Sequence, residues 1–126
     1  MLFLMVLDIG KLIFTKKMKN KWLNKENIGH SDLLITDIGV VNTTDLEVFD
    51  MTQEQLERFR EIMSDLREGG HRCIRVFRDA VMIDSDIYNI CLSCGDIRLN
   101  GQIYSFKSDG KEKLQKLKEE ILKTKI

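Results

Sequence analysis

The sequence predicts an α+β domain: an antiparallel sheet packed on one face by an amphipathic middle helix and a C-terminal helix. Three observations support this class. A capped amphipathic segment stands mid-chain, a run of short apolar segments separated by turn residues follows it, and a second amphipathic segment ends the chain. Strands and helices that do not alternate regularly are typical of α+β proteins. The 126 residues have the length of one domain, which we take as residues 1–126.

The first part of the chain predicts several short strands and one short helix. Residues 16–28 are rich in lysine and indicate a short helix that turns Trp22 and Leu23 inward. Four apolar segments bounded by polar turn residues are interpreted as strands: residues 2–7, 11–15, 33–41 and 46–49.

The clearest predicted element is an amphipathic helix over residues 53–68. Thr52 is a good N-cap, and Gln55 stands three positions further on, which is the pattern of a capping box. Gly69–Gly70 is expected to end the helix. Apolar residues recur between these signals at helical spacing: Leu56, Phe59, Met63 and Leu66.

The chain after Gly70 changes to a β pattern. Residues 71–83 predict one long strand, or two short strands separated by a turn at Arg78–Asp79. Two more strands are expected over residues 87–92 and 96–99, on either side of a kink.

The last part of the chain predicts a hairpin and a helix. Asn100–Gly101 is the strongest hairpin signal, and it predicts a type I′ turn between residues 97–99 and 102–104. Ser108–Asp109 then opens a final helix. Its apolar face consists of Leu114, Leu117 and Ile121.

Composition and charge narrow the classes of partner. With 20 basic and 20 acidic residues, the chain has no overall field that would attract nucleic acid or an anionic membrane. A lysine cluster around Trp22 could contact phosphates, but in a neutral chain a solvated surface is the stronger interpretation. The cluster consists of Lys16, Lys17, Lys19, Lys21 and Lys25. We therefore expect neither nucleic acid nor a membrane as a partner.

The N-terminus and the cysteine count favour a cytoplasmic protein. The apolar run at the N-terminus lacks a basic start and meets Asp8 too early to be a signal peptide or a membrane span. Three cysteines, an odd number, are not the even framework of a small secreted domain. We expect reduced thiols.

The segment Cys91-Leu92-Ser93-Cys94-Gly95 is the local motif with a chemical interpretation. Zinc prefers four sulfur or nitrogen ligands, and a Cys-x-x-Cys turn supplies two of them. His71 and Cys73 would point to one face of a strand and could supply the others. The sequence therefore predicts a zinc site formed by His71, Cys73, Cys91 and Cys94.

This site depends on how residues 71–83 fold. If they form one strand that turns back about Ser85, Cys73 and Cys94 lie on the order of 10 Å apart along the ladder. A bulge could then bring the cysteines together. If a turn at Arg78–Asp79 divides the segment, Cys73 and Cys91 fall at opposite ends of a meander and share no site.

Two other interpretations of the cysteines remain open. A thiol-dependent redox enzyme would use Cys91 or Cys94, although thioredoxin-type motifs precede a helix and this one precedes an expected strand. The three cysteines could also be ordinary packing residues, because buried free cysteine is common.

The stretch from Cys73 to Cys94 resembles a group of small uncharacterised bacterial proteins. These proteins have a cysteine near a Pro-Arg-His-Ala stretch, and a Cys-Phe-x-Cys after an apolar strand. The corresponding residues here are Cys73, Phe77–Ala80 and Cys91–Cys94, with Phe77 in place of proline and Asp79 in place of histidine. If that histidine is a ligand, the resemblance implies that Asp79 or His71 substitutes for it.

The main functional expectation is a non-enzymatic binding or interaction module, with an unknown protein partner or a homodimer as its assembly. Neither a phosphate loop nor a serine or zinc hydrolase motif occurs in the sequence. A redox enzyme and a regulatory or toxin-neutralising partner protein are the alternatives.

Overall fold

The computed structural model describes residues 20–25, 34–36, 39–40, 46–71, 76–83 and 86–124. Its elements in chain order are β1 (Lys21–Asn24), β2 (Ile35–Thr36), β3 (Gly39–Val40), β4 (Glu47–Asp50), α1 (Gln53–Met63), β5 (Leu66–Glu68), β6 (Asp79–Ile83), β7 (Asp86–Cys91), β8 (Asp96–Leu99), β9 (Gln102–Phe106) and α2 (Gly110–Leu122).

Seven of the described strands form one antiparallel sheet in the order β4-β1-β6-β7-β8-β9-β5. Strands β2 and β3 pair separately as a small hairpin. The antiparallel sheet with one mid-chain helix and one C-terminal helix confirms the predicted α+β class.

One face of the sheet, called here the helix face, packs against α1 and α2. Phe59 of α1 stands between two aromatic residues of the sheet, with its ring edge-on to Trp22 at 6.2 Å and to Tyr88 at 5.0 Å between centroids. Leu114, Leu117 and Ile121 of α2 are fully buried in the same cluster, as the sequence predicts. Edge-to-face ring pairs add to the burial of apolar area, so this layer is the main core.

The opposite face of the sheet, called here the hairpin face, is also covered. Leu23 and Ala80 of the sheet pack there against Leu34 and Ile35 at the start of the small hairpin. Asn89 fixes this layer, since its side-chain oxygen accepts from the backbone N–H groups of Leu34 and Ile35 at 2.8 and 2.9 Å. Its amide nitrogen donates back to the carbonyl oxygen of Ile35 at 2.8 Å.

Helix α1 begins as predicted and ends earlier than predicted. Thr52 and Gln55 form the expected capping box. The helix ends at Met63 rather than at residue 68, because residues 66–68 leave it to pair with β9 as an edge strand. Leu66 is half-buried next to the main core, so the apolar position that suggested a further helical turn is satisfied from a strand.

The helix expected over residues 16–28 is wrong where the structure describes it, since residues 21–24 are strand β1. Trp22 and Leu23 are both buried, but they face opposite sides of the sheet.

The strands expected in the first part of the chain have different outcomes. In place of one strand over residues 33–41, the described part of that segment forms the two short strands β2 and β3. The strand expected over 46–49 is confirmed as β4. The strands expected over residues 2–7 and 11–15 lie outside the described residues.

The β pattern after Gly70 is confirmed in its second half. Strand β6 begins at Asp79. Its last residue, Ile83, pairs with Asp86, so the register differs by one residue from the one expected for a turn centred on Ser85.

The Asn100–Gly101 turn is confirmed, because both residues have the positive φ angles, 49° and 87°, that a type I′ turn requires. Among the described residues, no helix is both long and apolar enough to cross a membrane.

Candidate functional site

Residues Cys91–Gly95, called here the thiol turn, connect β7 to β8. The N–H of Gly95 donates to the carbonyl oxygen of Cys91 at 2.8 Å and closes the turn. Gly95 has a φ of +81°, and a Cβ atom at this position would meet Cδ of Lys111 at 3.1 Å. The backbone conformation therefore favours glycine, and a Cβ atom would in addition displace the flexible Lys111 side chain by a few tenths of an ångström.

The two cysteines of the thiol turn are in different states. Cys91 is a free thiol with no exposed surface, and its sulfur lies 3.3 Å from the hydroxyl oxygen of Ser93. Cys94 is half-buried and disulfide-bonded, which differs from the reduced thiols expected from the sequence. Cys73 lies outside the described residues.

His71 is held against the start of β8 by the carboxylate of Asp96. The backbone N–H of His71 donates to Oδ2 of Asp96 at 3.0 Å, and ring Nδ1 lies 2.7 Å from Oδ1. The side chain of Asp96 is completely buried, whereas that of His71 is 54% exposed. An ionised carboxylate only accepts hydrogen bonds, so it selects the ring tautomer that carries its proton on Nδ1.

Strand register places Asp96 next to the thiol turn. Cys91 is paired with Asp96, Asp96 with Ser105, and Ser105 with Arg67. Strand alternation puts these four side chains on the hairpin face, opposite Ile90 and Phe106 of the main core. Nε of Arg67 donates to the Ser105 hydroxyl at 3.5 Å. A thiol, a buried carboxylate, a hydroxyl and a guanidinium thus form one row, with His71 bonded to its second member.

Arg98 and Phe77 border this row. Arg98 follows Asp96 on the same face of β8, and its guanidinium carbon lies 5.9 Å from the ring centre of Phe77. Phe77 has 1% of its surface exposed. The guanidinium therefore stacks over a buried ring, and it also donates to the carbonyl oxygen of Gly101 at 3.2 Å.

Asp79, which stands in place of the histidine of the resembling proteins, is on the face of the sheet opposite to Cys91. It lies on the helix face, where it accepts hydrogen bonds from Trp22 Nε1 at 2.8 Å and Asn24 Nδ2 at 2.7 Å. Lys118 of α2 pairs with its other oxygen at 2.9 Å. Since Cys91 faces the opposite side of the sheet, Asp79 does not substitute for that ligand.

The lysine cluster around Trp22 offers no ring for stacking on bases. Trp22 has no exposed surface. Of the two described lysines in that cluster, Lys21 forms an ion pair with Asp50 and Lys25 is almost completely buried.

Of the predicted zinc ligands, Cys91 and Cys94 lie in the thiol turn, and His71 is bonded to Asp96, which directly follows that turn. Within the described ranges, no three histidine, cysteine, aspartate or glutamate side chains stand close enough to hold a metal ion. The fourth predicted ligand, Cys73, falls outside those ranges, so the complete set stays a prediction.

Asp96 is a residue of the site that no sequence motif singles out. A signal for it was present, because the Asn100–Gly101 turn fixes the register of β8 and β9 and places Asp96 opposite Ser105. Its contact with His71, 25 residues away, had no such signal.

Comparisons with known proteins give no relative from which a role could be taken. No protein-family model, no curated protein and no solved structure matches this chain. What the protein does is therefore inferred from its own residues.

Proposed function

We propose that this protein is a non-enzymatic binding module that carries a zinc site at the thiol turn. The proposed ligands are His71, Cys73, Cys91 and Cys94. The observation that supports the site best is the contact between His71 and the buried carboxylate of Asp96. Asp96 is the strand partner of Cys91, so the contact supports a histidine beside the thiol turn.

The His71–Asp96 contact has the form of the outer shell of a zinc site. Histidines that ligate zinc commonly donate their other ring N–H to a carboxylate, which fixes the ring orientation and raises the basicity of the ligating nitrogen. With the proton on Nδ1, the basic nitrogen of His71 is Nε2. The side chain of Asp96 is fully buried and held in the sheet, so it supplies a rigid support for the ring.

The thiol turn supplies the sulfur ligands of this proposal. A Cys-x-x-Cys segment that turns back through glycine can direct both sulfur atoms to one ion, and thiolates with imidazole are a set that zinc prefers. The positive φ of Gly95 provides that reversal.

The geometry favours binding over redox catalysis. Catalytic dithiols use the N-terminus of a helix to lower the pKa of an accessible thiol. Here the chain enters strand β8 after Cys94, and Cys91 has no exposed surface. The buried thiol suits a structural or metal-binding role better than attack on a substrate.

The proposal includes a cytoplasmic location and a protein partner. A cytoplasmic location would keep the cysteines reduced and able to bind zinc. The partner is proposed to be a protein, either a second copy of this chain or a different protein that the module regulates.

The proposal is tested by metal analysis of the full chain, purified without a histidine tag and kept reduced. We expect about one equivalent of zinc per chain. Asp96→Asn should weaken zinc affinity by about 10- to 100-fold, because the carboxylate orients the ligand. His71→Ala should weaken it further. Asp109→Asn, which changes an exposed carboxylate at the start of α2, serves as the matched control and should bind zinc as the wild type does.

Two outcomes contradict the proposal. One is reduced, folded wild-type protein that holds less than about a tenth of an equivalent of zinc. The other is an unchanged zinc affinity in both His71→Ala and Asp96→Asn.

A further inference from the structure

Arg98 on β8 has a buried hydrogen-bond donor without an acceptor. Its Nη1 donates to the carbonyl oxygen of Gly101 at 3.2 Å. Its Nε is buried and has no hydrogen-bond partner within the part of the chain that the structure describes. An unpaired buried donor is costly, so nearly all such groups in folded proteins have a partner. An acceptor that belongs to a ligand would satisfy this one.

The unpaired atom lies on the edge of the guanidinium that is suited to an oxyanion. The N–H groups of Nε and Nη2 form a fork that matches two oxygens of one carboxylate or phosphate group. The bond to Gly101 uses Nη1 and leaves this edge open. We propose that Arg98 anchors an oxyanion-binding site on the hairpin face, whose ligand presents a carboxylate or a phosphate group.

The guanidinium of Arg98 is held in one orientation before a ligand binds. Its central carbon lies 5.9 Å from the ring centre of Phe77, which is itself almost completely buried. Stacking on an aromatic ring, together with the bond to Gly101, restricts the side chain, so less conformational entropy is lost when an anion binds. Arg98 also keeps part of its surface exposed, which gives a ligand access to the side chain.

The charges around Arg98 favour an anion. Arg67 is a second cation on the same face, and strand spacing places the Cα atoms of the two arginines on the order of 12 Å apart. The Arg67 residue is exposed, and its Nε is bonded to Ser105. The carboxylate on this face of β8, that of Asp96, is completely buried and bonded to His71. Arg67 therefore adds a longer-range attraction to the direct contact that Arg98 supplies.

The test follows the Nε–H resonance of Arg98 in nitrogen-15 NMR spectra of the full chain at fixed pH. Sodium acetate, sodium phosphate and sodium chloride are titrated separately. We expect acetate or phosphate to shift this resonance to saturation, with a dissociation constant of about 1–10 mM. Chloride is spherical and cannot occupy both N–H groups of the fork, so it should shift the resonance little. Of acetate and phosphate, the one that binds more tightly identifies the kind of oxyanion.

Three variants separate the fork from simple charge, with binding followed through the backbone amide signals of β8 and β9. Arg98→Lys keeps the charge and removes the fork, so it should weaken oxyanion binding by at least about tenfold. Arg67→Gln should weaken it by about two- to fivefold, and less at high salt, because Arg67 acts through its charge. Arg60→Lys changes an exposed arginine of α1, serves as the matched control and should bind as the wild type does.

Three results would overturn the oxyanion site. They are an Arg98 Nε–H resonance that responds to neither oxyanion, an equal response to chloride, and an unchanged affinity in Arg98→Lys. The backbone spectrum of each variant shows that it is folded before its affinity is compared. The site uses none of the proposed zinc ligands, so its failure would leave the proposed function untouched, and absence of zinc would leave this site untouched.

Discussion

At the scale of single residues, Asp65 joins two elements that are far apart in sequence. Its carboxylate accepts hydrogen bonds from the N–H and hydroxyl of Ser108, both at 3.0 Å, and from the N–H of Gly110 at 3.1 Å. Asp109, the residue at the N-cap position of α2, makes no side-chain capping bond. The start of α2 is thus capped by a residue that follows α1. The bond from the Ser108 backbone is the main cause that holds the pKa of Asp65 below its ordinary value, against the opposing effect of desolvation.

This capping bond predicts an acid-sensitive contribution to stability. Because the pKa of Asp65 is lower in the folded than in the unfolded chain, its stabilising effect is complete above about pH 4 and is lost as the pH falls through the folded-state pKa. Asp65→Asn should lower the melting temperature at about pH 7. The difference from wild type should shrink as the pH approaches about 2.

Thermal melts across this pH range test the prediction, with Asp109→Asn as the control. That substitution affects a carboxylate beside the same helix start that makes no capping bond, so it should change the melting temperature little. An Asp65→Asn difference that is the same at both ends of the pH range would show that the charge of Asp65 contributes nothing.

At the scale of elements, α1 is fixed at its start by a capping box that is also bonded to α2. The Thr52 hydroxyl accepts from the Gln55 N–H at 3.1 Å, and the Gln55 side-chain oxygen accepts from the Thr52 N–H at 2.9 Å. The amide nitrogen of Gln55 donates to Glu120 of α2 at 3.0 Å, and Arg58 donates to the same oxygen at 2.8 Å. The bond from Gln55, followed by that from Arg58, lowers the pKa of Glu120.

Removal of the Thr52 hydroxyl should therefore destabilise the protein. Thr52→Ala leaves the N–H of Gln55 without its acceptor and should lower the free energy of unfolding by about 1 kcal/mol. Thr52→Ser keeps an acceptor at the same place and should stay within about 0.5 kcal/mol of wild type. Urea denaturation of the three proteins measures both values. Equal losses in Thr52→Ala and Thr52→Ser would mean that the methyl group, rather than the capping bond, is what matters.

At the scale of the whole molecule, the central sheet is covered on both faces, and Asn89 holds the second cover in place. Asn89 lies on β7, the fourth of the seven strands, and its amide satisfies two N–H groups and one carbonyl of residues that are almost completely buried. Buried backbone groups need partners, so one side chain compensates for the lack of strand pairing between the small hairpin and the sheet.

Loss of the Asn89 amide should have a larger effect than the loss of the helix cap. Asn89→Ala would remove three hydrogen bonds to buried backbone groups, and we expect a loss of about 2–4 kcal/mol in the free energy of unfolding. Ile87→Val, which trims one methylene from the same face of β7, should cost about 0.5–1.5 kcal/mol. The measurement is urea denaturation at fixed pH. A loss in Asn89→Ala no larger than that in Ile87→Val would contradict the role assigned to the amide.

The sequence predicted the elements whose signals are local. The capping box of α1 and the Asn100–Gly101 turn each depend on residues within a few positions, and both were found where expected. The end of α1 was missed because Leu66 satisfies a helical and a strand pattern equally well, and pairing with β9 decides between them. Strand β1 was missed because both of its faces are buried, which removes the alternation of apolar and polar residues that identifies a strand.

The candidate site likewise has a local part that the sequence indicates and a long-range contact that it does not. Cys91, Cys94 and Gly95 stand together in the sequence and form the predicted turn. The bond between His71 and Asp96 joins a segment before β6 to the start of β8, and no periodicity links the two. Long-range contacts of this kind depend on how the whole chain packs, which a single sequence does not display.

The position of β1 between β4 and β6 has a consequence for the order of folding. β1 precedes both of its neighbours along the chain, and its Trp22 is bonded to Asp79 across 57 residues. Such a distant pairing carries a large loop-closure cost and slows folding, whereas β6 to β9 can form from neighbours in sequence. Insertion of β1 is thus expected to be a late step on the folding pathway. Trp22 is the single tryptophan of the chain, so its fluorescence reports the closure of the sheet rather than the first collapse.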